Sequence, residues 1–387
     1  MLRYYHIEEF GARPDGRTLN TAAIQRAIDM CHSAGGGRVV CGPGTYLTGT
    51  LDLKSHVELH LERGCQLLGS PSLSDYQPFA AEDFVPQSAP EGCTESLIRA
   101  VDAEDIAITG PGAINGNGLA FYDIGNTSGR FFRKPGRPRP RLVMFYRCRD
   151  VRIEASTFVD SPCWTMWLMK CERVSIRGVR IHGDQRMINN DGIDLDACRD
   201  VTVSDCIIKT GDDCIVLRAL GYVHATPGVC ENVTITNCVL DSWCQGVRVG
   251  CPGDHVVRNC VLSNLVITST GNGIVFDNPK RYLREGAPGT AEVYGISFSH
   301  VTIRCENAPI KIYVEEGIEL PRLGDLSFSH LRIQSGGPCR IEGNPRSVIR
   351  NVTFDDVEMV ASGDQAVLVR HAEGIRFSNV RITHLRE

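Results

Sequence analysis

Short apolar stretches with strand-like alternation recur from Val151 to the end of the chain. Each eight-residue unit carries mostly apolar residues at positions 1, 3, 6 and 8, and the alternation breaks at positions 4 and 5. Alternation places the apolar side chains of a strand on one face, and the break indicates a corner between two short strands. Nine such units begin 23 to 36 residues apart, at Val151, Val174, Val201, Val233, Cys260, Ile296, Leu326, Val352 and Ile375.

Position 5 of these units holds residue types that tolerate a left-handed backbone. They are Gly178, Asp205, Asn237, Asn264, His300, His330, Asp356 and Asn379. A repeat of strand, tight corner, strand and variable loop is typical of a parallel β-helix. A β-sandwich or a propeller would instead show antiparallel hairpins with Asn-Gly turns. We therefore predict an all-β solenoid, a parallel β-helix of about ten coils.

The N-terminal part of the chain has a different pattern, which predicts a cap. Apolar residues recur at helical spacing over residues 21–33, with Asn20-Thr21 as the N-cap and Gly35 to Gly37 as the stop. The open end of a solenoid exposes unpaired backbone, so we expect residues 1–50 to cover it. Residues 70–98 and 117–140 are rich in turn residues, and we predict that they form loops projecting from a single domain spanning 1–387.

A third strand precedes each unit, and its apolar residues set the register between coils. The predicted inward pairs are Ile193/Leu195, Ile215/Leu217, Val247/Val249, Ile274/Phe276 and Ile310/Ile312. Because side chains alternate, the residues between and after them are expected to face solvent. One predicted outward column is Asp194, Val216, Arg248, Val275 and Lys311, and a second is Asp196, Arg218, Gly250, Asp277 and Tyr313.

Two acidic clusters lie about one coil apart, Asp191 and the pair Asp212-Asp213. Neighbouring strands are ~4.8 Å apart, so we expect Asp191 to lie beside Asp213. Like charges this close do not all ionise easily, and one carboxyl should hold a proton. Cleavage of a glycosidic bond uses an acid and an ionised base or nucleophile, with retention or inversion set by their separation. The alternative interpretation is a set of exposed turns or of Ca²⁺ ligands.

Charge and cysteine usage narrow the function classes. A net charge of −5 argues against nucleic-acid binding and against a polybasic membrane surface. The first residues contain no apolar segment typical of a signal peptide, and no stretch is long enough to span a membrane. The chain has 17 cysteines, an odd number, and no Cys-x-x-Cys motif. We therefore expect reduced thiols, a cytoplasmic location, and no cofactor or metal.

Six segments share motifs with one enzyme family. They read FGARPDG (10–16), GGGRVVCGPGTYLTG (35–49), GPGAINGNG (110–118), SPCWTMWL (161–168), NNDGIDLD (189–196) and TGDDCIVLR (210–218). The chain resembles glycoside hydrolase family 28, the polygalacturonase-like enzymes. The resemblance implies a right-handed parallel β-helix and hydrolysis with inversion. It also implies that Asp212 is the general acid, that Asp191 and Asp213 activate water, and that Asn189 lines the subsite.

Two motifs of that family are altered in this chain. Gly-His-Gly is replaced by Cys244-Gln245-Gly246, and Arg-x-Lys by Val275-Phe276-Asp277. Besides Asn189, we expect the substrate-binding residues to be Asp194, Gln245, Arg248, Asp277, Lys280, Lys311 and Tyr313.

The expected substrate is a short oligosaccharide derived from pectin or containing related uronates, cleaved from a chain end, because polymers do not enter the cytoplasm. Two alternatives remain open, a Ca²⁺-dependent polysaccharide lyase and a carbohydrate-binding solenoid without activity. The sequence does not determine the oligomeric state.

Overall fold

The computed structural model describes residues 3–362 and 365–384. Helix α1 (Thr21–Ser33) confirms the predicted helix, and its apolar face is buried. Contrary to the prediction from the sequence, the side chain of Asn20 does not cap this helix. The side-chain amide of Asn20 instead donates to the carbonyl oxygens of Arg13 (3.0 Å) and Thr18 (2.7 Å). No helix in the described ranges has the length and apolar character needed to cross a membrane.

Strands make up most of the remaining structure. In chain order they are β1 (Tyr4–His6), β2 (Asp15–Leu19), β3 (Gly37–Cys41), β4 (Gly44–Thr48), β5 (Leu51–Asp52), β6 (Val57–Leu61), β7 (Cys65–Gly69), β8 (Ser96–Val101), β9 (Glu104–Thr109), β10 (Ala113–Asn115), β11 (Thr127–Ser128), β12 (Phe131–Phe132), β13 (Arg141–Tyr146), β14 (Arg149–Glu154), β15 (Thr157–Val159), β16 (Met166–Met169) and β17 (Glu172–Arg177).

The second half of the series is β18 (Arg180–His182), β19 (Ile193–Asp196), β20 (Arg199–Ser204), β21 (Ile207–Thr210), β22 (Ile215–Arg218), β23 (Val229–Ser242), β24 (Gln245–Val249), β25 (Val256–Ser269), β26 (Asn272–Asn278), β27 (Glu292–Cys305), β28 (Ile310–Val314), β29 (Arg322–Ser335), β30 (Cys339–Glu342), β31 (Ile349–Ala361), β32 (Val367–Arg370), β33 (Ala372–Glu373) and β34 (Arg376–His384). Short 3-10 helices span Ile7–Phe10, Leu73–Asp75, Pro86–Ser88, Pro90–Gly92, Gly118–Phe121 and Lys280–Tyr282.

The described residues form two compact units. The first contains residues 3–193 and 201–211, and the second contains residues 194–200, 212–362 and 365–384. In the first unit, parallel pairs connect β3–β6–β9–β14–β17 and β5–β8–β13–β16. In the second, they connect β23–β25–β27–β29–β31–β34 and β22–β24–β26–β28–β30–β32. Each unit is a stretch of right-handed parallel β-helix, which confirms the predicted fold.

The register of the second unit agrees with the sequence pattern. Ile215 pairs with Val247, Val247 with Ile274, and Ile274 with Ile310. All four side chains are completely buried. A slip by one residue would turn every one of them to the other face of the sheet, so the apolar pattern excludes that shift.

The predicted corner residues adopt the expected left-handed backbone. All eight have positive φ, from 49° at Asn379 to 61° at Gly178. In the second unit several of them also contact one another. The rings of His300 and His330 lie 4.6 Å apart, and His330 Nδ1 and Asn379 Nδ2 each lie 2.7 Å from a carboxylate oxygen of Asp356. The corners thus form a polar ladder on the surface.

The second unit contains a stack of aromatic rings, one from each successive coil, and all of them are buried except the last, Phe377, which is 45% exposed. Phe298, Phe328, Phe354 and Phe377 lie 5.0 to 5.4 Å apart with nearly parallel rings. Stacking of equivalent residues follows from the exact repeat of the parallel register, and offset stacked rings add to the burial of apolar surface.

The stretches predicted as loops contain little regular structure. Residues 70–95 carry three short 3-10 helices, and strand β8 then begins at Ser96, three residues before the expected boundary. Residues 117–140 contain the short antiparallel pair β11–β12.

Candidate active site

The turn that leads into β22 holds the two adjacent carboxylates of the second unit. Asp212 is half-buried and Asp213 is buried. The backbone N–H of Asp213 donates to Asp212 Oδ1 (3.0 Å), and the carbonyl oxygen of Asp212 accepts from Ser242 Oγ (2.7 Å). These two hydrogen bonds fix the direction of the Asp212 side chain and the path of the turn.

Arg248 is the charge partner of Asp213. Its Nε donates to Asp213 Oδ2, and both side chains are buried, at 6% and 3% exposure. Burial alone would lower the pKa of the guanidinium, but the neighbouring Asp213 raises the pKa of Arg248 well above its ordinary value. The ring of Tyr282 lies 5.6 Å from the guanidinium carbon, within the range of a cation–π contact.

The prediction that the outward columns face solvent is wrong for most of their members. Buried members are Asp194, Val216, Arg248 and Val275 in the first column and Asp196, Arg218, Gly250 and Asp277 in the second. Segments between the strands cover them. For example, the backbone N–H of Leu220 donates to Asp196 Oδ1 (2.8 Å), and Tyr282 lies over Arg248.

One consequence is a buried polar cluster in the second unit. His224 Nε2 lies 3.4 Å from an oxygen of Asp196, and Arg218 lies 3.6 Å from Asp254. Burial raises the pKa of Asp254 to about 6, although Arg218 opposes the shift. Burial also acts to raise the pKa of Asp196, but His224 and Arg218 outweigh it and lower that pKa.

Gln245, which stands where the family pattern has histidine, belongs to a ladder of amides. Its Oε1 accepts from Asn272 Nδ2 (2.8 Å), and Asn272 Oδ1 accepts from the backbone N–H of Ala308 (3.1 Å). Its Nε2 donates to Cys244 Sγ (3.3 Å). The side chain is therefore held by its neighbours on the coil and does not extend freely toward a ligand.

Cys244 is a further member of the site, although no functional motif of the sequence pointed to it. Its thiol hydrogen-bonds to Asp212, and burial together with Asp212 and Asp213 raises the pKa of the thiol well above its ordinary value. Ligand atoms of Asp212, Asp213 and Cys244 all lie within 4.8 Å of one another, so these residues are able to hold a metal ion. In the sequence, only the position of Cys244 directly before Gln245, the glutamine that replaces the family histidine, could have indicated that Cys244 belongs to the site.

A second group of charges surrounds Asp277, next to the altered Arg-x-Lys motif. Lys311 Nζ lies 2.9 Å from Asp277, and Arg281 lies 3.8 Å from it. Lys311 Nζ also lies 4.8 Å from the centre of the Tyr313 ring. Lys280 is exposed, and its backbone N–H donates to Glu315 Oε2 (2.8 Å). Lys311, Tyr313 and Asp277 thus belong to one cluster, whereas Lys280 is tied to a different carboxylate.

In the first unit, the segment that contains Asn189 and Asp191 is anchored by Arg139. This arginine is completely buried, and it donates to the carbonyl oxygen of Ile188 (2.9 Å) and to Asn189 Oδ1 (3.0 Å). Asn189 adopts φ of 56°, and Asp191 is buried, with its carbonyl oxygen accepting from the backbone N–H of Thr165 (2.8 Å). No motif of the sequence pointed to Arg139.

Gly211, which directly precedes Asp212 in the chain, is required by close backbone packing in the first unit. A Cβ at this position would lie 2.3 Å from the carbonyl oxygen of Gln185 and 2.6 Å from that of Met187. Its backbone N–H donates to Asn190 Oδ1 (2.8 Å). A larger residue would displace this turn, which explains the glycine in the Gly-Asp-Asp motif.

Comparison with known proteins identifies the family. Residues 79–317, more than half of the chain, match the family model described as Glycosyl hydrolases family 28. The chain belongs to glycosyl hydrolase family 28. Residues 4–77 match a second model, described as rhamnogalacturonase A/epimerase, pectate lyase-like. The second match covers the segment with the helical cap.

Relatives of this family 28 chain include plant and bacterial proteins. A probable polygalacturonase from Vitis vinifera is 32% identical over 55% of this chain and 44% of its own length. A probable polygalacturonase from Arabidopsis thaliana aligns over 60% of its length. The chain thus spans about half the length of these two relatives. The exo-poly-alpha-D-galacturonosidase of Dickeya chrysanthemi is 29% identical over 98% of this chain and 71% of its own length.

Solved structures agree with the family assignment. The hyperthermoactive exopolygalacturonase from Thermotoga maritima has a TM-score of 0.81 and 25% identity, covering 98% of this chain and 92% of that one. The surface adhesin PfbA of Streptococcus pneumoniae has a TM-score of 0.66 at 14% identity, covering 98% and 93%. The second match shows the fold alone, and it illustrates that this family 28 fold does not by itself determine a function.

Proposed function

We propose that this family 28 chain is an inverting glycoside hydrolase that releases units from the end of short, uronate-containing oligosaccharides of pectic origin. We also propose a cytoplasmic location, which is supported by the large number of thiols, 16 of them buried. Asp212 acts as the general acid, and Asp213 with Asp191 activates water. The oligosaccharide is the expected partner, and Asn189 lines its binding subsite.

The arrangement of Arg248, Asp213 and Asp212 is the observation that carries this proposal. The buried guanidinium of Arg248 compensates a negative charge on Asp213, which suits Asp213 to the role of the base that activates water. Asp212 is half-buried and directly adjacent in the chain, and we assign it the role of the carboxyl that supplies the proton. Two carboxyls in unlike environments take the two opposite roles that glycoside hydrolysis needs.

In the proposed reaction, Asp212 transfers its proton to the glycosidic oxygen as the bond to the anomeric carbon breaks. A water molecule attacks that carbon from the opposite face, and Asp213, supported by Asp191, takes one proton from it. The leaving sugar departs as an alcohol, and the product has inverted anomeric configuration. No metal or cofactor is needed for the balance of atoms and charge.

The exo mode is supported by the names of two relatives that cover almost the entire chain, an exo-poly-alpha-D-galacturonosidase and an exopolygalacturonase. A uronate carboxylate is recognised by cations, and Lys311 and Arg281 are candidates for that role. Because both contact Asp277, part of their charge is already compensated. We therefore expect weaker selection for a free carboxylate than the Arg-x-Lys motif provides.

A set of defined pectic oligosaccharides, with product anomers followed by NMR, tests the function. We expect turnover with inversion by the natural chain. Asp212→Asn should lower the rate by at least about 10²-fold, the contribution typical of a general acid. Asp355→Asn is the matched control, since Asp355 is exposed on β31, and it should retain full activity.

The alternatives give different results in the same experiment. An unsaturated product that disappears with a chelator would indicate a lyase, and binding without turnover over the whole set would indicate a carbohydrate-binding solenoid. Full activity of Asp212→Asn would overturn the assignment of the general acid.

A further inference from the structure

We propose that Asp212, Asp213 and Cys244 form a binding site for a thiophilic divalent cation, with Zn²⁺ as the ion that suits it best. One ligand atom from each side chain lies within 4.8 Å of the other two. An ion held at ordinary Zn–S and Zn–O distances, ~2.3 Å and ~2.0–2.2 Å, would draw these three atoms closer together than that limit. The backbone bond from Asp213 to Asp212 Oδ1 and the bond from Ser242 to the Asp212 carbonyl oxygen hold this turn in place.

A buried carboxylate oxygen provides independent support for a bound ion. Asp213 Oδ2 is occupied by Arg248, but Asp213 Oδ1 is buried and has no hydrogen-bond partner among the described residues. A buried acceptor without a partner is costly, and a cation at this position would satisfy it. Arg248 would then act from outside the ligand set, holding the carboxylate in orientation as supporting partners of metal ligands commonly do.

The chemistry of the donors selects the ion. Ca²⁺ and Mg²⁺ prefer oxygen ligands throughout, whereas a thiolate with two carboxylates is a donor set that Zn²⁺ accepts. With Zn²⁺ bound, the charges of the ion, the thiolate, the two carboxylates and Arg248 add to zero. Three protein ligands leave the fourth tetrahedral position to water.

Cys244 is also the cysteine that an ion from solution reaches most directly. All 17 cysteines lie within the described ranges, and 16 of them are buried, whereas Cys244 is half-buried. Binding of Zn²⁺ displaces the thiol proton. Affinity should therefore increase with pH.

A consequence for activity follows if the proposed function holds. Zn²⁺ would occupy the oxygen atoms with which Asp212 holds its proton and Asp213 accepts one. We therefore expect Zn²⁺ to inhibit hydrolysis and a chelator to restore it. This part rests on the proposed hydrolase activity, whereas ion binding itself does not.

Binding is measured first, by competition of the metal-free protein with a chromophoric chelator for Zn²⁺. We expect one tight site in the natural chain, and Cys244→Ala should weaken it by at least about 100-fold, the upper end of what loss of a supporting partner alone costs. Cys339→Ala, which removes a buried thiol from β30, is the matched control and should bind as the natural chain does. Excess Ca²⁺ or Mg²⁺ should not displace Zn²⁺.

A spectroscopic readout identifies the sulfur ligand directly. Co²⁺ in place of Zn²⁺ should give a sulfur-to-metal charge-transfer band that Cys244→Ala and Cys244→Ser lose and Cys339→Ala keeps. Unchanged Zn²⁺ affinity in a folded Cys244→Ala variant, or absence of the band in the natural chain, would overturn the site.

Failure of the site and failure of the function are separable. Cys244-dependent binding without any turnover on the oligosaccharide set would retain the site and remove the hydrolase. Turnover that Zn²⁺ leaves unchanged, with no Cys244-dependent binding, would do the reverse.

Discussion

The two units of the chain each bury an arginine against a predicted site residue, but they stabilise it in different ways. In the first unit, Arg139 donates to the hydroxyl of Tyr122 and to the oxygens of Pro162, Ile188 and Asn189, all of them neutral groups. The carboxylate of Glu91 lies farther away, at 4.0 Å. In the second unit, a carboxylate, Asp213, contacts Arg248 directly.

The difference separates two uses of a buried cation. A guanidinium surrounded by carbonyl oxygens organises backbone, since its planar set of donors joins segments that are distant in sequence. A guanidinium paired with a carboxylate determines the charge state of its partner. We therefore expect loss of Arg139 to change geometry and loss of Arg248 to change chemistry as well as stability.

The largest effect is expected for Arg248→Met. It leaves Asp213 as a buried charge without its cation, and breaking a buried pair destabilises proteins by about 3–5 kcal/mol. Denaturant unfolding measures this loss, and kcat/KM should fall by about 100-fold or more as the base is disturbed. Arg248→Lys keeps the charge and should recover part of both. Equal stability of Arg248→Met and the natural chain would contradict the importance of the pair.

Arg139→Met should have the next largest effect on stability. Several buried acceptors lose a charged donor, which we expect to lower the free energy of unfolding by about 3 kcal/mol. Activity should fall because Asn189 loses its anchor, but the pH dependence of kcat/KM should keep its shape. If the low-pH side of the kcat/KM profile shifted in a folded Arg139→Met variant, Arg139 would act through its charge.

A third buried arginine, Arg218, faces a carboxylate that titrates, and this gives a pH test of charge pairing. The pKa of Asp254 is raised to about 6 from 3.8 by burial, in a cluster with Arg218, Asp196 and His224. The unfolded chain therefore ionises Asp254 at lower pH than the native state does, so this group reduces stability as pH rises from about 4 to 6.

Comparison with Asp254→Asn isolates that contribution. From about pH 4.5 to about pH 7.5, the natural chain should lose about 2 kcal/mol of unfolding free energy relative to the variant. Urea unfolding of both proteins at the two pH values measures it. A constant difference between them would show that Asp254 titrates alike in both states.

The smallest effect is expected at an exposed pair in the first unit. Arg173 makes two hydrogen bonds to Asp150, at 2.7 and 2.8 Å, and both side chains are about half exposed. Exposed pairs contribute about 0–1 kcal/mol, so Arg173→Met should change unfolding free energy by less than about 1 kcal/mol. A loss as large as that of Arg248→Met would show that burial is not what distinguishes these arginines.

Much of the fold was predictable because it depends on local rules that repeat. Corner residues such as Asn237 and Asn264 are of a type that predicts a left-handed backbone, and the structure confirms this prediction. Pairing of Val247 with Ile274 agrees with a period of two in each strand, since a slip by one residue would expose the apolar set.

The candidate site was predictable only in part. The acidic motifs pointed to Asp212 and Asp213, but the partners of those residues come from elsewhere in the chain. Arg248 was assigned to solvent and to substrate, and the structure pairs it with Asp213 in a buried environment. Cys244 had no motif of its own, because a cysteine in this chain is usually a small core residue.

The sequence alone determined the coil, its register and the side of the sheet on which each residue stands, because these depend on the repeat and on the alternation of apolar and polar residues along each strand. Only the tertiary structure decided what lies over that side, because the covering segments, such as those of Leu220 and Tyr282, are irregular and follow no period. The covering segments determine which side chains are buried and which charged groups are paired. The electrostatic environment of Asp213 and of Asp254 therefore also depends on these segments.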